Sequence, residues 1–240
     1  MRIKGVLFDL GGTLLSYNRE EIFRSLLEEK GITVTKESVA RAYEVVEPEW
    51  YKRFPGLGSQ PVTDEILAQL DLMVLEGLGI NADNQDLAHF ITKNWWRMEE
   101  QLPQSLVRRA YPDTLPCLER VRERGLKMGV VSNIESEQRL RKELGLIGLS
   151  GFFPVLVASG SVGYAKPAKQ IFDIAASLVQ LEPEEILFVG DDLERDYQGA
   201  LRAGMNPALV DRVERYRDLT DIRRLSSLEQ VPNLLLGPSL

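Results

Sequence analysis

Near the start of the chain stands Ile3-Lys4-Gly5-Val6-Leu7-Phe8-Asp9-Leu10-Gly11-Gly12-Thr13-Leu14. An apolar run stops at a carboxylate, and two glycines and a threonine follow. A strand buried on both faces of a parallel sheet reads as such a run. Asp9 then stands at the carboxyl end of a central strand, where open α/β sheets gather their ligands. Gly11 and Gly12 let the backbone turn sharply and approach a ligand closely. The same residues also describe an ordinary turn after an ordinary strand, so the choice rests with the rest of the chain.

Beyond Leu15 the texture changes. From Asn18 to about Glu100 the pattern is helical, with almost no strand signal. Glu21 to Lys30 places Ile22, Phe23, Leu26 and Leu27 on one face and stops at Gly31. Thr35-Lys36-Glu37-Ser38 opens a second helix with capping chemistry, and Pro48 is expected to kink or end it. Phe54-Pro55-Gly56-Leu57-Gly58-Ser59-Gln60-Pro61 is a breaker. Thr63-Asp64-Glu65 begins a third helix, and Asp83 to Glu99 forms a fourth. Four helices joined by short loops predict a bundle. Trp50, Tyr51, Trp95 and Trp96 fall in this region, as core or as pocket lining.

From about Tyr111 helix and strand alternate. Strands are expected at Lys127–Val131, Pro154–Ala158, Ile186–Val189 and Pro207–Val210. Helices are expected at Asp113–Arg124, Glu135–Leu144, Ala168–Val179 and Asp196–Ala203. That alternation implies βαβ units and a parallel sheet covered on both faces. The predicted class is therefore α/β, a Rossmann-like parallel-sheet core with an inserted all-helical domain. Residues 1–15 and 102–240 form the core and residues 16–101 the insertion.

Composition narrows the function. The formal net charge of −7 argues against nucleic acid and anionic membranes as partners. With one cysteine, Cys117, and one histidine, His89, the chain has no internal disulfide, cysteine cluster or histidine-rich metal site. Both residues read as structural. The apolar run ends at Asp9 before a signal-peptide core can develop, and no run approaches the ~20 residues of a membrane span. The expected setting is cytoplasmic, as a monomer or homodimer.

Four elements line up at predicted strand ends: Asp9, Ser132-Asn133, Lys166 and Asp191-Asp192. Converging strand ends bring them to one crevice. Carboxylates, a hydroxyl, an amide and an ammonium suit a hard divalent cation with a phosphate. Mg²⁺ takes about six oxygens, commonly one or two carboxylates with waters and phosphate oxygens. Asp9 and Asp191 can supply carboxylates and Gly11 a backbone carbonyl, while Ser132, Asn133 and nearby N–H groups can hold phosphate oxygens. Lys166 balances the crowded negative charge, with Lys169 as its understudy.

The chain resembles the haloacid dehalogenase superfamily of hydrolases, in the branch with a helical cap inserted after the first motif. Phe8-Asp9-Leu10-Gly11-Gly12-Thr13-Leu14 is similar to its first motif and Val131-Ser132-Asn133 to its second. Tyr164-Ala165-Lys166-Pro167-Ala168-Lys169-Gln170-Ile171-Phe172 is similar to the third. Val189-Gly190-Asp191-Asp192-Leu193-Glu194-Arg195-Asp196, with Gly199-Ala200 and Ala203-Gly204-Met205, is similar to the fourth. The resemblance implies that Asp9 attacks the phosphorus of a phosphate ester to give an aspartyl-phosphate that water releases. It implies that Asp191, with Asp192, holds Mg²⁺, that Lys166 serves catalysis, and that Asp196 orients the motif. It also implies a cap that closes over Asp9.

One position departs from the pattern. The family's phosphatases carry a second aspartate two places after the nucleophile, as the proton donor to the leaving group; here that place is Gly11. General acid–base help contributes about 10²–10⁴-fold. The expected function is a Mg²⁺-dependent phosphatase of a small phosphorylated metabolite, slowed at Gly11 or served by a substitute acid. A phosphate- or partner-binding protein with weakened catalysis is the second reading. A dehalogenase or a phosphonate-cleaving enzyme is the third, the latter requiring a cap lysine such as Lys30, Lys36 or Lys52.

Overall fold

Val6, Leu7 and Phe8 are all buried, and they divide between two cores. Val6 and Phe8 join Met128, Val130, Leu156, Ala158, Leu187, Val189, Ala208 and Val210 on one face of a sheet. Leu7 joins Val131, Val157, Ile186 and Phe188 on the other. Side chains alternate with a period of two along a strand, so a run apolar at every position must bury both faces. Each fully buried aliphatic or aromatic side chain contributes about 1.5–3 kcal/mol.

In the computed structural model, residues 2–53, 63–80 and 85–235 are described, apart from the side chains of Pro48, Tyr51 and Lys52. The breaker at Phe54–Pro61, the helix start at Asp83 and the side chains of Tyr51 and Lys52 lie outside the described residues. The elements run β1 (Gly5–Phe8), β2 (Leu15–Tyr17), α1 (Arg19–Glu29), α2 (Lys36–Arg53), α3 (Asp64–Gly77), α4 (Gln85–Gln101), α5 (Gln104–Val107) and β3 (Arg108–Ala110). They continue with α6 (Thr114–Glu123), β4 (Lys127–Ser132), α7 (Glu137–Leu146), β5 (Val155–Ala158), α8 (Ser159–Val162), α9 (Lys169–Val179) and β6 (Ile186–Gly190). A π-helical turn (Leu193–Gln198), α10 (Gly199–Arg202), β7 (Asn206–Val210), β8 (Arg224–Leu225) and α11 (Val231–Leu234) complete the chain.

The chain divides into two units, Met1–Ser16 with Arg109–Leu240, and Tyr17–Arg108. The first holds a six-stranded sheet in the order β5-β4-β1-β6-β7-β8, with every pairing parallel. Residues of α6 and α7 pack on one face and residues of α9 and α10 on the other, a doubly wound α/β arrangement. The predicted fold class is the observed one. Helix α7 begins two residues later than the periodicity suggests, because the Ser136 hydroxyl accepts from Arg139 N–H at 3.1 Å and caps it. Strands β2, β3 and β8 carry no sequence signal of their own; they span two or three residues.

In the second unit α1 packs on α2 and α4, and α3 packs on the same two helices. Their core holds Ile22, Phe23, Leu26, Leu27, Val39, Tyr43, Val74, Leu75 and Ile91. Helix α2 runs through Pro48 to Arg53 rather than ending there. The burial of Val39, Ala42, Tyr43, Val46 and Trp50 outweighs the roughly 3 kcal/mol that an interior proline costs. Trp50 is buried, Trp95 partly so, its indole N–H donating to the Tyr17 hydroxyl at 3.1 Å, and Trp96 is exposed. His89 is exposed, its ring 2.7 Å from the Gln85 carbonyl, and Cys117 lies in the sheet core. No described helix is long and apolar enough to cross a membrane.

Asp71 is buried between α3 and α4, where the Thr92 hydroxyl donates to it at 2.6 Å. Burial pushes its carboxyl from 3.8 up to about 7. Between those values the unfolded chain gains an ionisation that the folded one resists, so stability falls as pH rises through that window. Asp71→Asn keeps an acceptor for Thr92 and removes the penalty. Its expected gain in urea unfolding is on the order of 2–4 kcal/mol at pH 8, fading towards pH 4. An equal effect at both pH values would show that Asp71 acts through its shape instead of its charge.

Candidate active site

The parallel register brings the strand ends to one edge. Phe8 pairs with Val130 on one side and Val189 on the other, so the residues that follow β1, β4 and β6 emerge together. The Asp9 N–H donates to the Val189 carbonyl at 2.8 Å, which carries the ladder one residue past β1 and holds Asp9 at its end. A cavity of about 230 Å³ opens there, lined by Asp9, Gly11, Ser132, Asn133, Lys166, Asp191, Asp192, Arg195 and Asp196. All seven residues expected from the sequence lie on it. Lys169 does not; it is exposed and pairs with Asp173 at 2.5 Å.

Lys166 is the most enclosed cation of the site, 2% exposed. Its ammonium donates to Asp9 Oδ1 at 2.5 Å and to Asp196 Oδ1 at 2.6 Å. Burial works against its charge, yet Asp196 and Asp9 outweigh that and hold its pKa above the ordinary lysine range. Asn133 aims it: the amide nitrogen donates to the Lys166 carbonyl at 2.9 Å, and the Lys166 N–H donates back to Asn133 Oδ1 at 2.8 Å. The loop that carries Lys166 is thus clamped to the end of β4. The Lys166–Pro167 peptide is cis.

Asp9, Asp191 and Asp196 each offer an oxygen within 4.8 Å of the others. Burial, then the nearby Asp196, lifts Asp9 from 3.8 to about 6 against the pull of Lys166. Burial, then Asp9 and Asp196, lifts Asp191 to about 8. Asp9 and Asp196 are buried and bonded to the Lys166 ammonium, and Asp191 is half-buried beside them, so negative charge exceeds positive in this cluster. Hard oxygens at that spacing are the donor set of Mg²⁺ or a similar divalent ion.

Asp192 has a different task. Its Oδ1 accepts from the N–H groups of Glu194 and Arg195 at 3.0 and 2.7 Å, and its Oδ2 accepts from the Arg195 guanidinium at 2.9 and 2.7 Å. It caps the π-helical turn, and against its burial the Arg195 charge holds its carboxyl below the usual range. Asp196, one turn on, faces back under Gly190, where a Cβ would lie 2.4 Å from Asp196 atoms. Asp196 also accepts from the Asp192 N–H at 3.0 Å.

The loop after Asp9 is held on both sides. Gly12 has φ +77°, and a Cβ there would lie 2.2 Å from Asp191 Oδ2, so neither the backbone nor the space admits a side chain. The Thr13 hydroxyl reaches Asp191 Oδ1 at 3.4 Å. Arg212 donates to the Thr13 carbonyl at 2.9 Å and pairs with Asp113 through both guanidinium ends at 2.8 and 3.0 Å. Asp113 in turn accepts from Ser227 and from the Leu228 N–H. Arg195 and Arg212 were not read from the sequence, and Asp196 was read there as orienting the motif, without its contacts. Only Asp196 had a signal, its place four residues after Asp192.

A family model described as haloacid dehalogenase-like hydrolase matches residues 3–204. Glyceraldehyde 3-phosphate phosphatase of Methanopyrus kandleri is 38% identical over 109 residues, 45% of this chain and 46% of that protein. Phosphoserine phosphatase of Thermus thermophilus is 34% identical over 108 residues, 45% of this chain and 43% of that protein. The chain thus spans about half the length, or less, of these curated relatives. Among solved structures, the magnesium-bound putative hydrolase YfnB of Bacillus subtilis superposes with a TM-score of 0.76 at 22% identity, covering 98% of this chain and 99% of that one. At that identity the likeness is one of fold.

Proposed function

Because the chain belongs to the haloacid dehalogenase-like hydrolases, we propose that it is a phosphoric monoester hydrolase acting on a small phosphorylated metabolite. The observation that carries this is the Asp9 carboxylate, gripped at one oxygen by Lys166 and set beside Asp191 and Asp196. Lys166 takes Oδ1 and fixes the rotamer, so Oδ2 is the oxygen that attacks phosphorus. The phosphoryl group passes to Asp9 and then to water, which restores the carboxylate. Ser132 and the N–H groups after β4 hold phosphate oxygens. Asn133 acts mainly by placing Lys166. In this reading 17–108 is the cap and the remainder the catalytic core.

Asp9, Asp191 and the Gly11 carbonyl, with Asp196 close behind, are the groups that would hold Mg²⁺. Its chemistry there is to screen the repulsion between an anionic nucleophile and an anionic substrate. Asp192 supports this set through Arg195 and the turn it caps.

The test is phosphate release from phenyl phosphate by the whole protein, with Mg²⁺ and with EDTA. Release is expected only with metal, and only above an Asp9→Asn control. Exposed Gly11 favours a second reading, a phosphate-binding protein with weakened catalysis. Calorimetric binding of Mg²⁺ and a phosphoryl analogue without any turnover would select it.

A further inference from the structure

The cavity is rich in groups that accept protons and poor in groups free to give one. The Lys166 ammonium is committed to Asp9 at 2.5 Å and Asp196 at 2.6 Å. The Asp192 carboxylate is tied to Arg195 and two backbone N–H groups. Asp196 accepts from Lys166 and from the Asp192 N–H. Asp9 and Asp191 belong to the carboxylate cluster, and with a divalent cation held there neither would carry a proton to give. Ser132 and Asn133 add a hydroxyl and an amide, the amide bonded to Lys166, and the last lining position, Gly11, has no side chain. Among the described residues, Leu10 and Gly12 aside, no heavy atom lies within 4 Å of where a Cβ on Gly11 would stand.

We infer that the hydrolase favours phosphoryl donors whose leaving group departs without a proton: phosphates of acidic phenols among the monoesters, and acyl phosphates, the mixed anhydrides, beyond them, both ahead of alkyl phosphates. The inference rests on Asp9 being the nucleophile. In the first step the Asp9–phosphorus bond forms and the phosphorus–leaving-oxygen bond breaks. Its electron pair leaves on a carboxylate or phenolate that is stable at neutral pH. In the second step water attacks phosphorus, the Asp9 carboxylate leaves in the same unprotonated way, and both water protons go out on dihydrogen phosphate. Neither departure calls on a general acid. An alkyl phosphate would have to expel an alkoxide, and among the described residues lining the cavity none supplies the about 10²–10⁴-fold of a placed acid.

The experiment measures kcat/KM with Mg²⁺ along a series of substituted phenyl phosphates that differ in phenol acidity, then for acetyl phosphate against ethyl phosphate. The expected result is a steep fall as the leaving group becomes more basic, with acetyl phosphate ahead of ethyl phosphate by at least about 10²-fold. Gly11→Asp, for which the structure has room, should raise ethyl phosphate turnover at least tenfold and flatten the series. A shallow series in the native protein, abolished by Asp9→Asn, would overturn the inference and leave the hydrolase reading standing. Absence of Asp9-dependent release from every substrate, acetyl phosphate included, would overturn both.

Discussion

Asp9→Asn is expected to lower phosphate release by about 10⁴-fold or more and, in EDTA, to leave the protein more stable than before. The two effects share a cause. An amide is no nucleophile towards phosphorus, and it carries no charge. The native carboxylate is buried beside Asp191 and Asp196, and burial with that repulsion raises it from 3.8 to about 6. A carboxyl whose folded pKa is raised gives its full stability below the unfolded value and loses it as pH climbs through the folded one. The native protein therefore carries a penalty above about pH 6 that the Asp9→Asn variant does not. At one pKa unit per roughly 1.4 kcal/mol, the gain is on the order of 1–3 kcal/mol at pH 8 and vanishes near pH 4. Added Mg²⁺ should reverse the order, because binding to the native fold stabilises it by mass action. Urea unfolding with and without the metal reads both signs. A variant less stable than the native protein in EDTA at pH 8 would make Asp9 a structural partner of Lys166 first and a reactive group second.

Lys166→Met carries the opposite expectation for stability. Methionine matches much of the length of the stem but leaves Asp9 and Asp196 buried without the ammonium that now bonds both. Removing one member of a buried ion pair typically costs about 3–5 kcal/mol. Activity should fall at least about 10²-fold, because Asp9 loses the group that fixes its attacking oxygen. The deficit should be largest at pH 8 and shrink towards pH 5, as the stranded Asp9 carboxyl, already raised to about 6, takes up its proton. Lys169→Met is the control. That lysine is exposed, with an exposed partner one turn along its own helix, and its loss should shift stability by no more than about 0.5 kcal/mol. Matching losses in the two variants would remove Lys166 from the centre of the site.

These two residues also show how far a local pattern reaches. Asp9 was legible because a continuous apolar run reads as a strand buried on both faces with its first polar residue at the strand's end, and the later strand-end residues decided against an ordinary turn. Lys166 was legible less directly, as a cation after the third predicted strand, and its neighbour Lys169 was an open rival. The pattern places both on the chain within one turn, and local chemistry treats them alike. Reciprocal bonds from Asn133 decide between them by drawing the Lys166 backbone to the end of β4.

The acidic run after β6 is harder still. Asp191, Asp192 and Asp196 are three carboxylates within six positions, and any pair of them can be drawn around a cation. The structure separates them by what else each can bond. Asp192 meets two free N–H groups at the head of a helical turn and a guanidinium, while Asp196 finds room only because Gly190 lacks a Cβ. Arg212 lies 199 residues from the Thr13 carbonyl it steadies, and nothing near either residue announces the other.

The amino-acid order by itself thus determined the class of fold, the insertion of a helical stretch after the first strand, and the chemical inventory of the crevice. Those follow from periodicity and residue type, which act over a few neighbours. Tertiary structure alone decided which carboxylate faces which cation, what clamps the loop after Asp9, and that no described residue fills the space beside Gly11. Those depend on groups distant in sequence meeting in a buried site of low dielectric, where each polar atom must find a partner and the choice of partner is set by packing.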